Sequence, residues 1–199
     1  MFPLGTVLFP FAILPLHVFE PRYRVMTRHC LDGDREFGVV LIERGSEVGG
    51  GDVRFDIGTI ARIVQAAELP DGRYALATVG LRRFQVIQWL PADPYPLAEV
   101  EVIDEPAPAG AAEARDGAAA MFAEVLGLWH RLDDRVPAEP PAVSDDPARD
   151  LFEIAAAAPL GPLDGQRVLE ASGPADRAAA LQALLGDLAE ELRARLSFE

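Results

Sequence analysis

Apolar residues follow two different spacings along the chain, and the spacing changes near residue 104. Before that point they form short runs rich in β-branched residues, which indicate strands; after it, alanine, leucine and arginine recur at helical spacing. The change falls in the stretch DEPAPAG, residues 104–110, which contains two prolines and a glycine and reads as a linker. We therefore expect an α+β chain, with a strand-rich part over residues 1–105 and a helical part over residues 106–199.

The strand-rich part contains segments typical of β-strands. The last of them shows its two faces directly, because alanine and valine alternate with Glu99 and Glu101, as in a strand with one wet side. The pair Asp71-Gly72 favours a tight hairpin turn between two of the segments. The predicted strands cover residues 6–9, 37–42, 57–67, 73–79, 81–87 and 97–103. This number of strands is enough for a small barrel.

The stretch HVFEPRYR, residues 17–24, holds the densest group of side chains that could do chemistry. Pro21 suits the first position of a helix, where its missing N–H would have had no partner. From there Tyr23, Met26 and Cys30 continue an apolar stripe that begins at Phe19, so we expect these side chains to face inward. We interpret the stretch as the start of a helix rather than as a catalytic cluster.

The second part predicts at least three helices. Asp146-Pro147 and Gly173-Pro174 are typical of a cap followed by a first-turn proline, and each begins a helical pattern. Two apolar helix faces need to be covered by neighbouring elements, which predicts an antiparallel helical bundle. One face comprises Met121, Val125, Leu128, Trp129 and Leu132, and the other comprises Leu181, Leu184, Leu185, Leu188 and Leu192.

Charge and composition exclude several functions. The formal net charge of −14 repels phosphate backbones at long range, which makes nucleic acid an unfavourable partner. All 18 basic residues are arginine, and the sequence contains no lysine. Lysine is the phosphate-binding residue of the Walker A motif and the base of Ser-Lys hydrolases. Its absence excludes both chemistries from these 199 residues.

The sequence offers no sign of a membrane segment, a metal site or a cofactor. No apolar run approaches the roughly 18 residues of a membrane span, and the opening residues lack a basic signal-peptide region, so we expect a cytoplasmic protein. His17, His29 and His130 are too far apart for a metal motif. Cys30 is alone and falls on the apolar stripe, which favours a packed thiol over a nucleophile.

Four segments together resemble the N-terminal substrate-binding domain of the ATP-dependent Lon proteases, which belong to peptidase family S16. They are FPLGTVLFPFAILPLHVFEPRYR (residues 2–24), DIGTIARI (56–63), VGLRRFQV (79–86) and APLGPLDGQRVLEASGPADRAAALQALLGDL (158–188). The resemblance covers most of the chain. It implies a PUA-like pseudo β-barrel of about six strands with one helix, followed by a helical bundle.

The same resemblance implies a function of binding rather than catalysis. Its expected partner is unfolded or partly folded polypeptide, with a protease or chaperone as a further partner if the chain acts as an adaptor in bacterial-type protein quality control. The PUA-like barrel leaves RNA binding open as an alternative. A further alternative is a small-ligand binding protein, or an enzyme acting on such a ligand, which would require a pocket in the barrel mouth.

Two groups of aromatic and apolar residues are candidates for peptide contacts. Trp89, Leu90 and Tyr95 belong to QWLPADPYP, residues 88–96, whose three prolines predict a loop. Phe9 and Phe11 flank Pro10 in the first turn of the chain. The alternative interpretation is that these rings pack onto the barrel, because large aromatic side chains are mostly buried.

Overall fold

The computed structural model describes residues 1–45, 51–105, 110–140 and 142–197. The chain divides into two compact units, Met1–Asp104 and Glu105–Glu199. Residues 106–109 of the predicted linker lie outside the described residues. The expected α+β class is confirmed, because the first unit consists of six strands and one helix and the second consists of helices, among the described residues.

The first unit is built on one sheet. Its order is β1-β3-β4-β5-β2, and β6 also pairs with β5. The elements are β1 (Phe2–Leu4), β2 (Ile13–Val18), α1 (Pro21–Asp32), β3 (Glu36–Arg44), β4 (Val53–Glu68), β5 (Tyr74–Leu90) and β6 (Leu97–Val102). Over the described residues the sheet is open, since β1 and β2 end the order without pairing with each other. The expected barrel is therefore not closed.

Strand β5 organises this sheet because it is 17 residues long and pairs on both sides. One edge pairs with β4 over residues 74–85. The other edge pairs with β2 over residues 74–79 and with β6 over residues 84–90. The short strands β2 and β6 thus pair with successive halves of the same edge of β5.

Five of the six predicted strand segments lie in strands, one does not, and β2 was not predicted. The segments 37–42, 57–67 and 97–103 correspond to β3, β4 and β6. The segments 73–79 and 81–87 are one continuous strand, because the backbone stays extended through Gly80. The predicted strand 6–9 is not a strand, and β2 lies instead at residues 13–18, across Pro15.

A close backbone approach at Gly80 fixes where β2 begins. The Phe11 N–H donates to the Gly80 carbonyl at 2.8 Å, and the Gly80 N–H donates to the Ala12 carbonyl at 2.9 Å. A Cβ on Gly80 would lie 2.2 Å from the Phe9 carbonyl oxygen, closer than any real contact. Only glycine therefore lets the chain before β2 cross β5 at this point.

Helix α1 covers one part of the core, as predicted, and begins at Pro21. Tyr23 and Met26 are buried, and the Tyr23 ring stacks on Phe2 of β1 with 4.2 Å between ring centroids. The prediction for Phe19 is wrong, since its side chain is 53% exposed. Phe19 precedes the helix, so the inward-facing stripe of α1 begins only at Tyr23.

The second unit contains α2 (Ala111–Leu132), α3 (Pro147–Ala157), α4 (Pro162–Glu170) and α5 (Pro174–Leu196). Asp146 caps α3 as the sequence predicts, accepting a hydrogen bond from the Arg149 N–H at 3.2 Å. Gly173 precedes α5, with Pro174 in its first turn. The helical half of the α+β prediction holds, with four helices among the described residues of this unit.

The two longest helices of this unit run in the same direction. Gln182 of α5 donates to the Ala114 carbonyl near the start of α2, and Arg193 near the end of α5 pairs with Glu124 further along α2. The contacting residues increase in residue number along both helices together, which identifies the two helices as parallel neighbours. The expected antiparallel bundle therefore does not describe this pair, because the chain returns between α2 and α5 through α3 and α4.

Buried arginines hold the helices of the second unit together. Arg115 of α2 donates to the Asp150 carboxylate of α3 and, at 2.9 Å, to the Ser144 carbonyl. Asp150 also accepts the Ser144 hydroxyl at 2.7 Å. Arg177 of α5 lies 3.7 Å from the ring centroid of Phe152 of α3. A buried charge that loses its partner is strongly destabilising, so each arginine holds the helices that it contacts in place.

Two glycine-to-alanine substitutions test the close approach at Gly80. We expect Gly80→Ala to lower the free energy of unfolding by about 1–3 kcal/mol, because the new methyl group meets a backbone oxygen that no side-chain rotation can move. In the control Gly186→Ala, the Cβ in α5 meets no atom within 4 Å. Alanine favours helix there, so stability should rise by about 0.5–1 kcal/mol. Chemical denaturation measures both, and an unchanged Gly80→Ala protein would contradict the constraint.

Candidate functional site

Among the described residues of the first unit, the outer side of the sheet at β2 and β5 is mostly apolar and exposed. In β2 the side chains of Leu14, Leu16 and Val18 face the core, which leaves the alternate residues on the other side. Cross-strand neighbours on that outer side are Ile13 with Val79, Pro15 with Ala77, and His17 with Ala75. Ile13 is 76% exposed. An exposed row of this kind on a folded unit is a candidate binding surface.

Strand β4 extends this row. Gln65 lies beside Ala77 and Ala67 lies beside Ala75. Val64 is an extra residue in a bulge between two register positions, and its side chain is 52% exposed. We call the whole surface the alanine face; it comprises Ile13, Pro15, His17, Val64, Ala67, Ala75, Ala77 and Val79.

A broad depression of about 620 Å³ lies over β4 and β5 and borders this face. Its lining includes Ala67, Ala75 and Ala77 of the alanine face, whose small side chains keep it shallow, and also Ala66, which pairs with core-facing Leu76. Arg35 also lines it; its backbone is held at a φ of 67° in the turn that precedes β3. A shallow depression lined largely by apolar residues can take the apolar side chains of a bound chain.

Charged side chains at the end of this face are paired. Arg62, beside Val79 in the sheet, donates to the Glu36 carboxylate through Nε at 3.2 Å and through Nη2 at 2.5 Å. The pair is partly exposed, so it contributes at most about 1 kcal/mol to stability. It leaves the apolar row bordered by a neutralised pair rather than by an isolated charge.

Trp89 and Leu90 were predicted in a loop, but they are the last residues of β5, paired with Ala98 and Leu97. The Trp89 indole N–H donates to Asp56 Oδ1 at 3.2 Å, and the Arg54 guanidinium lies 4.7 Å from its ring centroid. The loop prediction is wrong because the prolines begin only at Pro91. The ring packs on the first unit, as the alternative interpretation expects, and its part in binding stays a prediction.

Tyr95 does lie in the connection after β5, close to a cis peptide bond between Asp93 and Pro94. Its hydroxyl is 2.9 Å from His29 Nδ1 of α1, and its ring packs against the core of the first unit. Burial raises the pKa of the Tyr95 hydroxyl. Tyr95 thus ties this connection to α1, away from the alanine face.

Phe9 and Phe11 separate into one buried and one half-exposed ring. Phe9 is 5% exposed, so its side chain cannot form part of an accessible surface. Phe11 is 41% exposed and has a φ of 67°, an unfavourable value for a bulky side chain. It lies directly before β2, beside Gly80. Of the five predicted candidates, Phe11 is therefore next to the alanine face.

The cysteine of this unit, Cys30, is partly buried and hydrogen-bonded. The Cys30 thiol donates to the Glu36 carbonyl at 3.3 Å, and burial raises its pKa. No group of three or more His, Cys, Asp or Glu is placed to hold a metal ion in the described ranges. Within the same ranges, no helix has both the length and the apolar character needed to cross a bilayer.

The alanine face was not predicted from the sequence, because β2 was not recognised as a strand. Its residues Ile13 to Val18 are apolar on both sides except for His17, so the run lacks a clear alternation. A proline in its middle also opposes a strand assignment. The one available signal was that Pro15 is tolerated at a sheet edge, which would have favoured an edge strand.

Comparisons with known proteins agree on one family. The family model described as "ATP-dependent protease La (LON) substrate-binding domain" matches residues 1–187. Lon protease 2 of Sorangium cellulosum is 30% identical over 202 residues, covering 96% of this chain and 24% of that protein. Lon protease of Dictyoglomus thermophilum is 29% identical over 135 residues, covering 68% of this chain and 16% of that protein. The chain thus spans a quarter or less of these relatives.

Solved structures show the same fold. A Lon N-terminal domain protein from Xanthomonas campestris has a TM-score of 0.64 at 28% identity, covering 92% of this chain and 95% of that one. The N-terminal domain of a Mycobacterium avium complex Lon protease has a TM-score of 0.62 at 20% identity, covering 93% and 97%. These likenesses extend over both units.

The environment of Cys30 predicts that its thiol reacts slowly with alkylating reagents. We expect iodoacetamide at neutral pH to alkylate the native chain roughly tenfold more slowly than the urea-unfolded chain, because burial disfavours the thiolate. Mass spectrometry of quenched time points measures the rate. A native rate equal to or above the unfolded rate would contradict the packed-thiol interpretation and support a nucleophile instead.

Proposed function

The chain belongs to the Lon substrate-binding domain family, and on that premise we propose that it binds unfolded or partly folded polypeptide through the alanine face. The observation that carries the proposal is the uncovered apolar side of the sheet, with Ile13 and Val64 as its most exposed large side chains. Isolated exposed apolar residues are ordinary on protein surfaces, but a contiguous row over three strands marks an interaction site.

The chemistry of the alanine face suits polypeptide more than other partners. Small side chains leave a shallow surface that accepts many apolar side chains without a fixed shape, as recognition of unfolded chains requires. The net charge of −14 opposes nucleic acid. Folded proteins bury most of their large apolar side chains, so an unfolded chain offers this row more of them.

We further propose that the chain itself is not an enzyme and contributes recognition to a partner ATPase or protease. The absence of lysine from the sequence supports this, because the Walker A and Ser-Lys chemistries both need that amine. An adaptor in protein quality control would work in this way. The purified chain should accordingly neither hydrolyse ATP nor cleave an unfolded protein that it binds.

The test is binding of fluorescein-labelled lysozyme that has been reduced and carboxamidomethylated, so that it stays unfolded. We expect saturable binding of this probe and no binding of native lysozyme, which has the same sequence with its apolar residues buried. Ala75→Glu should weaken binding of the probe about tenfold, because a bound chain would strip water from the new carboxylate. Fluorescence anisotropy measures all three.

Ala92→Glu is the matched control, since Ala92 is exposed in the connection after β5 and lies off the alanine face. It adds the same charge and should leave affinity within about twofold of the parent. Equal weakening by both substitutions would show a general charge effect and contradict the assignment of the face. Absence of any binding by the folded parent chain would contradict the proposed function itself.

A further inference from the structure

We propose that the outer edge of β2 pairs with an extended segment of the bound polypeptide, which adds a strand to the sheet in the gap between β2 and β1. This inference rests on the proposed function, because it names how the same unit holds a polypeptide. It depends on which backbone groups of β2 point away from β5. Those groups follow from the register of the two strands.

The hydrogen bond from the Gly80 N–H to the Ala12 carbonyl marks a bonded position between the chain and β5. In antiparallel pairs bonded and non-bonded positions alternate, so Leu14, Leu16 and Val18 direct their backbone groups to β5. The backbone groups of Ile13, Pro15 and His17 consequently point outward. In the described part of the chain, β2 pairs with β5 alone, so no other strand lies against these outward groups.

Pro15 occupies a position where its missing N–H removes no hydrogen bond from the sheet. Pro15 lacks an N–H, and the register places that missing donor on the outer edge rather than on the ladder with β5. The edge therefore presents the N–H groups of Ile13 and His17 and the carbonyls of all three residues. An incoming strand would find two donors and three acceptors at strand spacing.

A cavity lies beside this edge on the core side. It measures about 170 Å³ and lies between Phe2 and Leu4 of β1 and the residues from Pro15 to Val18 of β2, with Tyr23 of α1 also lining it. A cavity of about 150 Å³ is enough for a benzene ring. One apolar side chain of an added strand would therefore fit, while its neighbours in sequence would continue the alanine face on the other side.

These features select an extended polypeptide as the occupant. The cavity is smaller than the roughly 300–1,000 Å³ typical of small-molecule sites, so a free ligand would bury little of itself there. A row of backbone donors and acceptors is complementary to another backbone in extended form. The net charge of −14 favours a neutral or basic segment over an acidic one.

The first test uses a labelled nine-residue peptide in which valine and leucine alternate with threonine and lysine. Two further peptides of the same sequence carry N-methyl groups on the odd or on the even residues, which removes the donors from one edge of the strand at a time. We expect the parent peptide to bind saturably and at least one methylated peptide to bind about tenfold more weakly, because the edge loses hydrogen bonds and gains a steric block.

The second test changes the protein at the outer edge without touching the ladder with β5. His17→Pro removes an outward N–H and should weaken binding about threefold to tenfold relative to His17→Ala, which loses the same side chain but keeps the N–H. Pro15→Ala adds an outward N–H and should strengthen binding by a few-fold. Thermal unfolding of each variant shows that the fold is kept.

The outcomes separate this inference from the proposed function. If both methylated peptides bind as tightly as the parent peptide, and His17→Pro binds the parent peptide as tightly as His17→Ala does, edge pairing is wrong while polypeptide binding stands. If the parent peptide and the unfolded lysozyme both fail to bind, the proposed function is wrong. The methylated peptides decide the matter even if a proline variant does not fold, since they leave the protein unchanged.

Discussion

The close passage of the chain over Gly80 is the constraint on which the first unit depends. It joins the segment before β2 to the middle of β5 through two backbone hydrogen bonds, and no side chain fits at that point. Once that position is bonded, the alternation of an antiparallel pair decides the rest: even-numbered residues of β2 bond to β5 and face the core, and odd-numbered residues face outward. A shift of one residue would bury His17 and expose Leu16 instead. The exposed row, the placing of Pro15 and the open edge all follow from this one register.

An apolar face and an unpaired edge are liabilities for most proteins, since both invite aggregation. This unit reduces the danger in two ways that remain compatible with binding. Alanines at 67, 75 and 77 keep the exposed apolar area small, and Pro15 withholds one donor from the edge. The strong negative charge of the chain also keeps copies apart. A surface that holds extended chains weakly, and does not join to itself, is suited to reversible recognition.

The sequence predicted elements whose local chemistry decides their structure. Helix α1 begins at Pro21 and α3 is capped by Asp146, because both positions satisfy backbone groups locally. Prediction from the sequence failed where pairing with residues distant in sequence overrides the local pattern. Gly80 resembles a break between strands but permits a crossing, and Trp89 precedes prolines that end β5 only after Leu90. The candidate site was largely missed for the same reason: its residues matter through their cross-strand neighbours, which no local spacing reveals. The parallel packing of α2 and α5 could likewise not be predicted from the sequence, since it arises from the path of the chain through α3 and α4.

Amide hydrogen exchange of the full chain, with and without saturating unfolded lysozyme, tests the central claim most directly. Among the described residues no strand pairs with the outward edge of β2, so the N–H groups of Ile13 and His17 should exchange quickly in the free chain. The account predicts that bound polypeptide slows exchange in residues 13–18, with the helices from Ala111 to Leu196 unchanged. Slowing confined to those helices, or absent everywhere while the probe is bound, would contradict it.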